Sequence, residues 1–334
     1  MSKCDYHEIK NILDSGEVIV ISSHVAPDGD NIGSMLGLGL SLISAGKSVF
    51  MINQDEVPSD YMFLKGVEKI LKYEDIEDFD SINPDAVILL DTSSIERVGK
   101  KLEDVYNNIS CPIINIDHHR TNTNFGAVNC VEHTSATGEL VYKIITNLGL
   151  PMNKEIASAI YVAINTDTGR FQYDSVDSNT HVIAANLISL GVEAGKINTE
   201  LYQNISIKRQ TLHNKVLGNT EYYEDNKIAV ALVTLDLMKE TDTKTEDTEG
   251  LVETLRNIAP VEVAVLIKEK ACGEYKISIR TKSYADASVI CSKFNGGGHI
   301  KAAGCTIFSD LNNAKNLIIK AVKDEINEKR CSGN

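Results

Sequence analysis

The segment ISSHVAPDGDNIGS places one imidazole and two carboxylates within seven residues. These are His24, Asp28 and Asp30, and they lie between the apolar run VIVI and the apolar segment MLGLGLSLI. Carboxylate and imidazole together suit Mn²⁺ and related divalent cations. Asp and Gly are also ordinary turn residues. The segment by itself therefore leaves two interpretations open, a metal site and a polar turn.

Similar groups follow other strand-like segments of the first half of the chain. AVILLD ends on Asp91, and CPIINIDHH ends on Asp117, His118 and His119. A helical segment ends in NTDTGRF, which contains Asp167. Ligands of open α/β sheets bind outside the carboxyl ends of the strands. We therefore predict that these side chains converge on one edge of a sheet.

Carboxylates that converge in this way repel each other unless cations neutralise them, because buried like charges disfavour ionisation. Two divalent cations about 3.5–4 Å apart, with one carboxylate between them, remove that cost. Such a pair lowers the pKa of a water molecule and holds the oxygens of a phosphoryl group. The donors favour Mn²⁺, with Mg²⁺, Co²⁺ or Zn²⁺ as alternatives. The prediction is a two-metal site for phosphoryl transfer.

Strand-like and helix-like segments alternate through residues 1–190. Continuous apolar runs are typical of strands that are buried on both faces of a parallel sheet; here they are EVIVISSH, SVFMIN, AVILLD and CPIINID. The helical segments are NIGSMLGLGLSLISAG, SIERVGKKLEDVYNNI, SATGELVYKIITNLG and NKEIASAIYVAIN. The start of the third, SATGEL, is assigned to packing and helix capping. This order predicts an α/β fold with an N-terminal doubly wound, mostly parallel sheet domain.

The second half predicts a smaller α/β domain. Residues 191–218 contain INTELYQNISIKRQTLHNKVLG, which predicts one connecting helix. Within 219–334, strands are predicted for NKIAVALVTLD, VEVAVLIKEK and EYKISIRTKS, and helices for DTEGLVETLRNI, DASVICSKFN and LNNAKNLIIKAVKDEINEK. The polar segment ETDTKTEDTEG, residues 240–250, predicts an exposed loop. Two such domains would enclose an interdomain cleft.

The net charge of −14 limits the substrates. A field of that sign repels long nucleic acid, whose binding depends on neutralising phosphates, so short anionic substrates held by local groups are favoured. The N-terminus has no apolar segment of the signal-peptide type, and no apolar run approaches the roughly 20 residues that span a bilayer. We expect a cytoplasmic protein without membrane contact. The oligomeric state stays open, a homodimer included.

The cysteines show no metal-binding or disulfide pattern. Their number is odd and no CxxC occurs, which argues against a disulfide framework and a zinc ribbon. Reduced thiols are therefore expected. The seven are Cys4, Cys111, Cys130, Cys272, Cys291, Cys305 and Cys331.

The segment KFNGGGHIKAAG lacks a Cβ atom at three successive positions. Gly296, Gly297 and Gly298 permit positive φ and a close approach of the backbone to a ligand. The N–H groups of such a loop can bind an anion, and His299 adds an imidazole donor. Three glycines also form ordinary turns. The residues by themselves leave both interpretations open, a tight substrate-binding loop and an ordinary turn.

These motifs resemble, in order and spacing, those of the DHH phosphoesterase superfamily. SHVAPDGDNIGS, ILLDTS, NIDHH and NTDTGRF resemble its four N-terminal motifs, and GGGHIKAAG resembles the signature of the DHH-associated C-terminal domain. The resemblance covers essentially the whole chain. The two-domain layout looks most like the bifunctional oligoribonucleases and pAp phosphatases. RecJ-type exonucleases usually carry additional domains, and family II pyrophosphatases lack the GGGH segment.

The resemblance implies that Asp91 bridges two cations. It also implies that His119 contacts the scissile phosphate as a hydrogen-bond donor or general acid. Asp117 is implied to orient an imidazole without binding a cation itself. The ligands implied for the first cation are His24 and Asp28. Those implied for the second cation are Asp30, His118 and Asp167.

The resemblance also implies substrate-binding residues in the second half. Arg280, in KISIRTKS, has a guanidinium that binds phosphate through two N–H groups, although a solvated charge at a strand end is the alternative. The other implied substrate-binding residues are Ser283, Gly296, Gly297, Gly298 and His299.

Further candidates carry less weight. Lys282, Arg97 and Arg170 are additional cationic side chains near the motifs. Aromatic rings stack on the bases of single-stranded nucleic acid, and core packing is the alternative role for each ring. The aromatic candidates are Phe171, Tyr284 and Phe294.

The implied activity is hydrolysis of short RNA to nucleoside 5′-monophosphates and removal of the 3′-phosphate from 3′-phosphoadenosine-5′-phosphate (pAp). The same chemistry on linear or cyclic dinucleotides (pApA, c-di-AMP), or on inorganic polyphosphate, is the nearest alternative. A metal-bound nucleotide sensor without turnover is an alternative of another class. The motifs around the metals do not separate these substrates, because all share the scissile phosphate.

Overall fold

The chain divides into two units, each built on a six-stranded sheet. The first unit ends at Asn204 and the second begins at Ile205. The computed structural model describes residues 4–332, and their side chains as far as Lys329. Within this range, no helix is both long enough and apolar enough to cross a membrane. The functional domain boundaries at 190 and 218 stay predictions.

The first unit contains seven α-helices and six strands among its described residues. Its helices are α1 (Tyr6–Ser15), α2 (Gly29–Ser44), α3 (Lys100–Tyr106), α4 (Thr137–Leu148), α5 (Lys154–Asp167), α6 (Ser178–Ser189) and α7 (Ala194–Tyr202). Its strands are β1 (Val18–Ser22), β2 (Ser48–Asn53), β3 (Ile70–Lys72), β4 (Ala86–Leu90), β5 (Ile113–Asp117) and β6 (Val128–Val131).

All strand pairs of the first sheet are parallel, in the order β3-β2-β1-β4-β5-β6. The prediction of a doubly wound parallel domain is confirmed. The four predicted strands are β1, β2, β4 and β5. The short edge strands β3 and β6 were not predicted, because three or four residues carry too little apolar periodicity. Since β1, β4 and β5 are neighbours, their carboxyl ends lie side by side.

Helix α2 packs against α5 with almost no space between the two backbones. A Cβ atom on Gly33 would lie 2.4 Å from the carbonyl oxygen of Ala159, and one on Gly29 would lie 2.4 Å from the hydroxyl of Thr166. The glycines of α2 therefore permit the approach that brings the start of α2 beside the end of α5. Both helices are buried over most of their length.

The segment SIERVGKKLEDVYNNI does not form the single helix that was predicted. A 3₁₀ turn covers Ile95–Val98, and α3 begins only at Lys100. Gly99 separates them with a φ of +96°, a left-handed conformation that favours glycine and interrupts a right-handed helix.

One disulfide joins Cys4, which precedes α1, to Cys130 in β6. The prediction of reduced thiols is wrong for this pair. The two residues are 126 positions apart, so no local spacing indicates the bond. The described cysteines outside it are Cys111, Cys272, Cys291 and Cys305. The side chain of Cys331 lies outside the described part of the chain.

The second unit contains five α-helices and six strands among its described residues. Its helices are α8 (Ile207–Gly218), α9 (Leu235–Thr241), α10 (Leu251–Arg256), α11 (Ala287–Ser292) and α12 (Leu311–Ser332). Its strands are β7 (Glu221–Tyr223), β8 (Ile228–Val233), β9 (Val263–Ala271), β10 (Glu274–Thr281), β11 (Gly297–His299) and β12 (Ala302–Phe308).

The second sheet is mixed, in the order β11-β12-β10-β9-β8-β7. Only β8 and β9 pair in parallel, and the other pairs are antiparallel. One face carries a core with α11 and α12. The other face carries a core with α8, α9 and α10 that involves β8 and β9. The prediction of a smaller α/β domain is confirmed.

Two predicted elements of this region differ in detail from the structure. The connecting helix is two helices, α7 and α8, because the hydroxyl of Ser206 accepts a hydrogen bond from the Arg209 N–H and starts a new helix. The predicted loop 240–250 is mostly exposed, but it contains a 3₁₀ turn at Thr245–Thr248, and Thr248 is buried.

Candidate metal centre and substrate-binding residues

Acidic and imidazole side chains meet at the carboxyl edge of the first sheet. His24 follows β1, Asp91 follows β4, and His118 follows β5. Three groups there have ligand atoms that all lie within 4.8 Å of one another within their group. These are His24 with Asp28 and Asp91, Asp30 with His118 and Asp167, and Asp91 with His118 and His119.

Asp91 lies between the two imidazoles. Its Oδ2 is 3.2 Å from Nε2 of His24, and its Oδ1 is 3.6 Å from Nε2 of His118. Asp91 is buried and has a φ of +53°. A non-glycine residue in this region carries strain that the surrounding structure must hold. Asp91 thus presents one oxygen to His24 and the other to His118, which is the arrangement that a carboxylate bridging two cations requires.

The two imidazoles have the same orientation. Nδ1 of His24 lies 2.8 Å from the carbonyl oxygen of Val25, and Nδ1 of His118 lies 3.1 Å from that of Thr134. Each Nδ1–H therefore donates to the backbone, and each Nε2 faces the carboxylates. Histidines that bind metals are commonly fixed in this way through the second ring nitrogen.

Asp30 is held by the first turn of α4. It accepts hydrogen bonds from the N–H groups of Thr137 at 2.7 Å and Gly138 at 2.9 Å, and from the Ser34 hydroxyl at 3.1 Å. A helix N-terminus is a site for anions. The hydroxyl of Thr137 also donates to Asp91 at 3.0 Å. The SATGEL segment therefore orients two of the carboxylates, a role that sequence reasoning missed.

The remaining two carboxylates of the edge are more open. Asp28 precedes α2, caps it by accepting from the Asn31 N–H at 3.1 Å, and lies 3.9 Å from Nε2 of His24. Asp167 is the last residue of α5 and lies 3.6 Å from Nε2 of His118. The open side of the centre is therefore formed by the ends of α2 and α5.

Two of the carboxylates are hard to ionise. Burial raises the pKa of Asp30 well above its ordinary value, and the charges of Asp91 and Asp167 add to this. Burial also raises the pKa of Asp167 to about 7. Burial acts in the same direction on Asp91, but the hydrogen bond from His24 and the nearby imidazoles keep its pKa below the usual range.

The imidazoles are biased toward the protonated form. Burial lowers the pKa of His24, but the hydrogen bond and charge of Asp91 and the charge of Asp28 outweigh it and raise the pKa to about 9. Burial also lowers the pKa of His118, but the carboxylates, Asp167 first, raise it to about 10. The protonated imidazoles thus supply positive charge that offsets the negative charge of the carboxylates. Divalent cations supply the same charge to oxygen and imidazole donors, so this set fits them.

His119 is paired with Asp117, which is fully buried. Nδ1 of His119 lies 2.7 Å from Oδ1 of Asp117. The Asn122 amide donates to the other oxygen of Asp117 at 2.6 Å. Asn122 was not predicted, because it lies in the loop after NIDHH with no pattern of its own. The three residues form a chain of hydrogen bonds that fixes the orientation of His119.

In the second unit, Arg280 and Ser283 already have partners. Nε of Arg280 lies 2.8 Å from Oε1 of Glu253, and Nη1 donates to the Ile279 carbonyl. Ser283 donates its hydroxyl to Glu262 at 2.6 Å. Ser283 therefore supports the loop after β10, whereas Arg280 is a guanidinium held in one orientation.

The GGGH segment is a short edge strand and not the predicted tight loop. Gly297 to His299 form β11, which pairs with β12. A Cβ atom on Gly296 would lie 2.3 Å from the carbonyl oxygen of Gly304, and one on Gly298 would lie 2.5 Å from that of Ala302. A Cβ atom on Gly297 would meet nothing within 4 Å. The sheet thus leaves no room for a side chain at Gly296 or Gly298, whereas there is room for a Cβ atom at Gly297.

Comparison with known proteins agrees with this organisation. Residues 18–164 match the DHH family N-terminal domain, and residues 225–328 match the DHHA1 domain. The bifunctional oligoribonuclease and PAP phosphatase NrnA of Thermus thermophilus is 32% identical over 92% of this chain and 90% of its own. The chain belongs to the DHH family of phosphoesterases. DHH phosphoesterases depend on metal ions, and this member contains the acidic and imidazole groups described above.

Two further proteins resemble this DHH-family chain over nearly its full length. The bifunctional oligoribonuclease and PAP phosphatase NrnA of Bacillus subtilis is 27% identical over 88% of this chain and 90% of its own. The crystal structure of an exopolyphosphatase-related protein from Bacteroides fragilis superposes with a TM-score of 0.90, at 29% identity, covering 96% of this chain and 95% of the other.

Most of the additional cationic and aromatic candidates of this DHH-family chain make contacts within the protein. Arg170 stacks over the ring of Tyr202, 4.1 Å from its centroid, and Lys282 donates to the Ile258 carbonyl at 2.7 Å. Phe294 and Phe171 pack against the two cores. The others are exposed at least in part: Arg97, Tyr284 and His299.

Proposed function

We propose that this protein is a two-metal phosphoesterase that hydrolyses short oligoribonucleotides to nucleoside 5′-monophosphates and converts pAp to AMP. The observation that carries the proposal is the position of Asp91, whose two oxygens face His24 and His118. The names of the Thermus and Bacillus relatives support the choice of substrates.

The proposed metal ligands divide into two sets around Asp91. His24 and Asp28 would hold one cation, and Mn²⁺ is the ion that we favour, before Mg²⁺ and Co²⁺. The pair supplies an acidified water molecule and charge stabilisation for the phosphoryl oxygens. The ligands proposed for the other cation are Asp30, His118 and Asp167.

His119 is the proposed donor to the scissile phosphate or the leaving oxygen. Because Nδ1 points at Asp117, a protonated ring presents its second N–H from Nε2. Asp117 and Asn122 then act as positioning residues, since they fix the plane of the ring. A nucleotide sensor without turnover has no use for such a donor, so the His119 and Asp117 pair supports an enzyme.

We propose that the second unit binds the rest of the substrate through Arg280, Gly297 and His299. Glu253 occupies Nε of Arg280, and among the described residues Nη2 has no hydrogen-bond partner. A guanidinium fixed on one side can offer the other side to a phosphate. The open surroundings of Gly297 support a backbone contact with the ligand. Ser283, Gly296 and Gly298 would shape this surface.

We propose that the protein works in the cytoplasm. The second candidate function is hydrolysis of polyphosphate or of dinucleotides. The resemblance to the exopolyphosphatase-related protein from Bacteroides fragilis favours keeping polyphosphate as a candidate.

One assay tests the function and its metal requirement together. Chelated protein should be inactive on pAp and on RNA of three to five residues, and Mn²⁺ should restore both activities. Polyphosphate, pApA and c-di-AMP are assayed at the same enzyme concentration. Faster turnover of polyphosphate or of a dinucleotide than of both proposed substrates would replace the proposal with the alternative. Full activity in excess EDTA, with no metal bound, would contradict the metal centre.

A further inference from the structure

One face of the second sheet is left open over three strands. Helices α8, α9 and α10 cover this face at β8 and β9, but β10, β12 and β11 present half-buried or exposed residues there. The strand register places the residues of this face in rows. The rows are Arg280, Ala302 and His299, then Ser278, Gly304 and Gly297, then Lys276 and Thr306, and last Glu274 and Phe308.

Two lysines of like charge stand directly opposite each other at the far end of this face. Lys268 in β9 pairs in register with Lys276 in β10. Like charges in this position destabilise a sheet. Burial lowers the pKa of Lys268, and the charge of Lys276 acts in the same direction, whereas the charge of Glu249 opposes it. The pair of lysines therefore destabilises the protein when no ligand is bound.

Neither lysine is neutralised by an ion pair. Lys268 has only 9% of its surface exposed, and its ammonium group donates to the Thr248 hydroxyl at 3.1 Å. The charges of Glu249 and Glu253 reach Lys268, but among the described residues no carboxylate oxygen lies within 4 Å of the ammonium group of either lysine. An anion near both ammonium groups would relieve the repulsion between them.

We propose that Lys268 and Lys276, with the hydroxyl of Thr306, form a second phosphate subsite for an oligonucleotide substrate. The proposal rests on the proposed function, because it assigns this subsite to a phosphate beyond the one at Arg280. Lys276 and Arg280 are four residues apart on β10, about 13 Å at the rise of a strand. The phosphates of pAp share one ribose, so only a longer substrate reaches both positions.

The residues between the two ends suit a substrate that lies along the sheet. Gly304 and Gly297 have no side chains, and Ser278 completes their row with a short hydroxyl. The backbone is therefore accessible to a ligand between Arg280 and Lys276. This face sets a preferred length of a few nucleotides, which the metal centre alone does not explain.

The test compares Lys276→Met with Lys320→Met, a matched loss of charge on α12, which packs on the opposite face. Binding of a five-residue RNA is measured by fluorescence anisotropy in EDTA, over a range of salt concentrations. KM values for the same RNA, for pAp and for polyphosphate are measured with Mn²⁺. Thermal unfolding is recorded for all proteins.

Lys276→Met should weaken binding of the RNA about tenfold and raise its KM by more than that of pAp. The slope of log K against log salt should fall by about 0.7, the value for one phosphate of a single strand. Its melting temperature should not fall, since a repulsive pair is removed. Lys320→Met should behave as the wild type.

Equal effects of Lys276→Met on pAp and on the RNA, or an unchanged salt slope, would overturn the subsite. A loss confined to polyphosphate would overturn its assignment to RNA. Failure of the wild type to hydrolyse pAp or RNA would instead contradict the proposed function. The anisotropy measurement in EDTA needs no turnover, so it decides the subsite separately.

Discussion

Nδ1 of His119 lies 2.7 Å from a carboxylate oxygen of Asp117, and the same ring stands edge-on to that of His118, with centroids 4.5 Å apart. Both rings have a nitrogen 3.6 Å from Oδ1 of Asp91, but their hydrogen-bond partners differ. His118 turns Nδ1 to the Thr134 carbonyl and Nε2 to the carboxylates. His119 turns Nδ1 to a buried carboxylate that orients it.

This difference predicts separate effects of two substitutions. His119→Ala should lower kcat by about 10²–10⁴-fold, the typical loss of an acid–base group, while the bound Mn²⁺ stays near the wild-type amount. Asp91→Ala should lose metal and activity together, because both imidazole groups share that carboxylate. Metal content is measured after gel filtration. Equal metal loss in the two variants would show that His119 is a ligand.

The substrate-binding role of Arg280 can be separated from its ion pair. Arg280→Ala should raise KM for pAp by more than KM for bis-p-nitrophenyl phosphate, which is too small to need a distant contact. Glu253→Ala removes the same ion pair but keeps the guanidinium, so its effect on pAp should be smaller. If the two variants lose pAp activity equally, Arg280 acts through the fold.

Gly297 offers a second test of the same surface. Gly297→Val should raise KM for pAp without lowering the melting temperature, because a Cβ atom there meets no protein atom within 4 Å. Gly298→Val should lower the melting temperature, since its φ is +142° and a Cβ atom would lie 2.5 Å from the Ala302 carbonyl oxygen. Unchanged kinetics of a stable Gly297→Val protein would remove Gly297 from the substrate site.

The contact between α2 and α5 predicts a stability effect that reaches the metal centre. Gly33→Ala should cost about 1–3 kcal/mol in the free energy of unfolding, as overpacking does, and should weaken Mn²⁺ binding because α2 carries Asp30. Gly218→Ala, at the end of α8 and with no atom near its Cβ position, should be neutral or stabilising by about 0.4–1 kcal/mol. Denaturant titrations measure both. A Gly33→Ala protein of wild-type stability would contradict the packing.

The disulfide between Cys4 and Cys130 predicts a response to reducing agent. Because it closes a long loop, its reduction should lower the free energy of unfolding by about 2–5 kcal/mol, and Cys4→Ser should show the same loss without reductant. Cys111→Ser, which removes a half-buried thiol outside the bond, is the control. Two more alkylated cysteines than expected in the unfolded, unreduced protein would show that the bond is not formed.

The residues of the metal centre were predictable from the sequence for a specific reason. Strands that are buried on both faces of a parallel sheet appear as unbroken apolar runs, and their carboxyl ends share one edge. Asp91 and His118 could therefore be placed together without knowledge of any long-range contact. Asp167 was assigned to the end of a helix, and α5 ends at that residue.

The tertiary structure decided which partners orient these residues. Asp30 accepts a hydrogen bond from the N–H group of Thr137, 107 residues away, and the start of any helix would satisfy an anion equally well. The position of Glu253 beside Arg280 depends likewise on the packing of α10 against the sheet. The position of Lys268 opposite Lys276 depends on strand register. The sequence by itself determined which chemical groups stand at the strand ends, since apolar periodicity is local. Only folding decided which distant backbone groups and charges hold them, because one side chain can pair with many partners and packing selects among them.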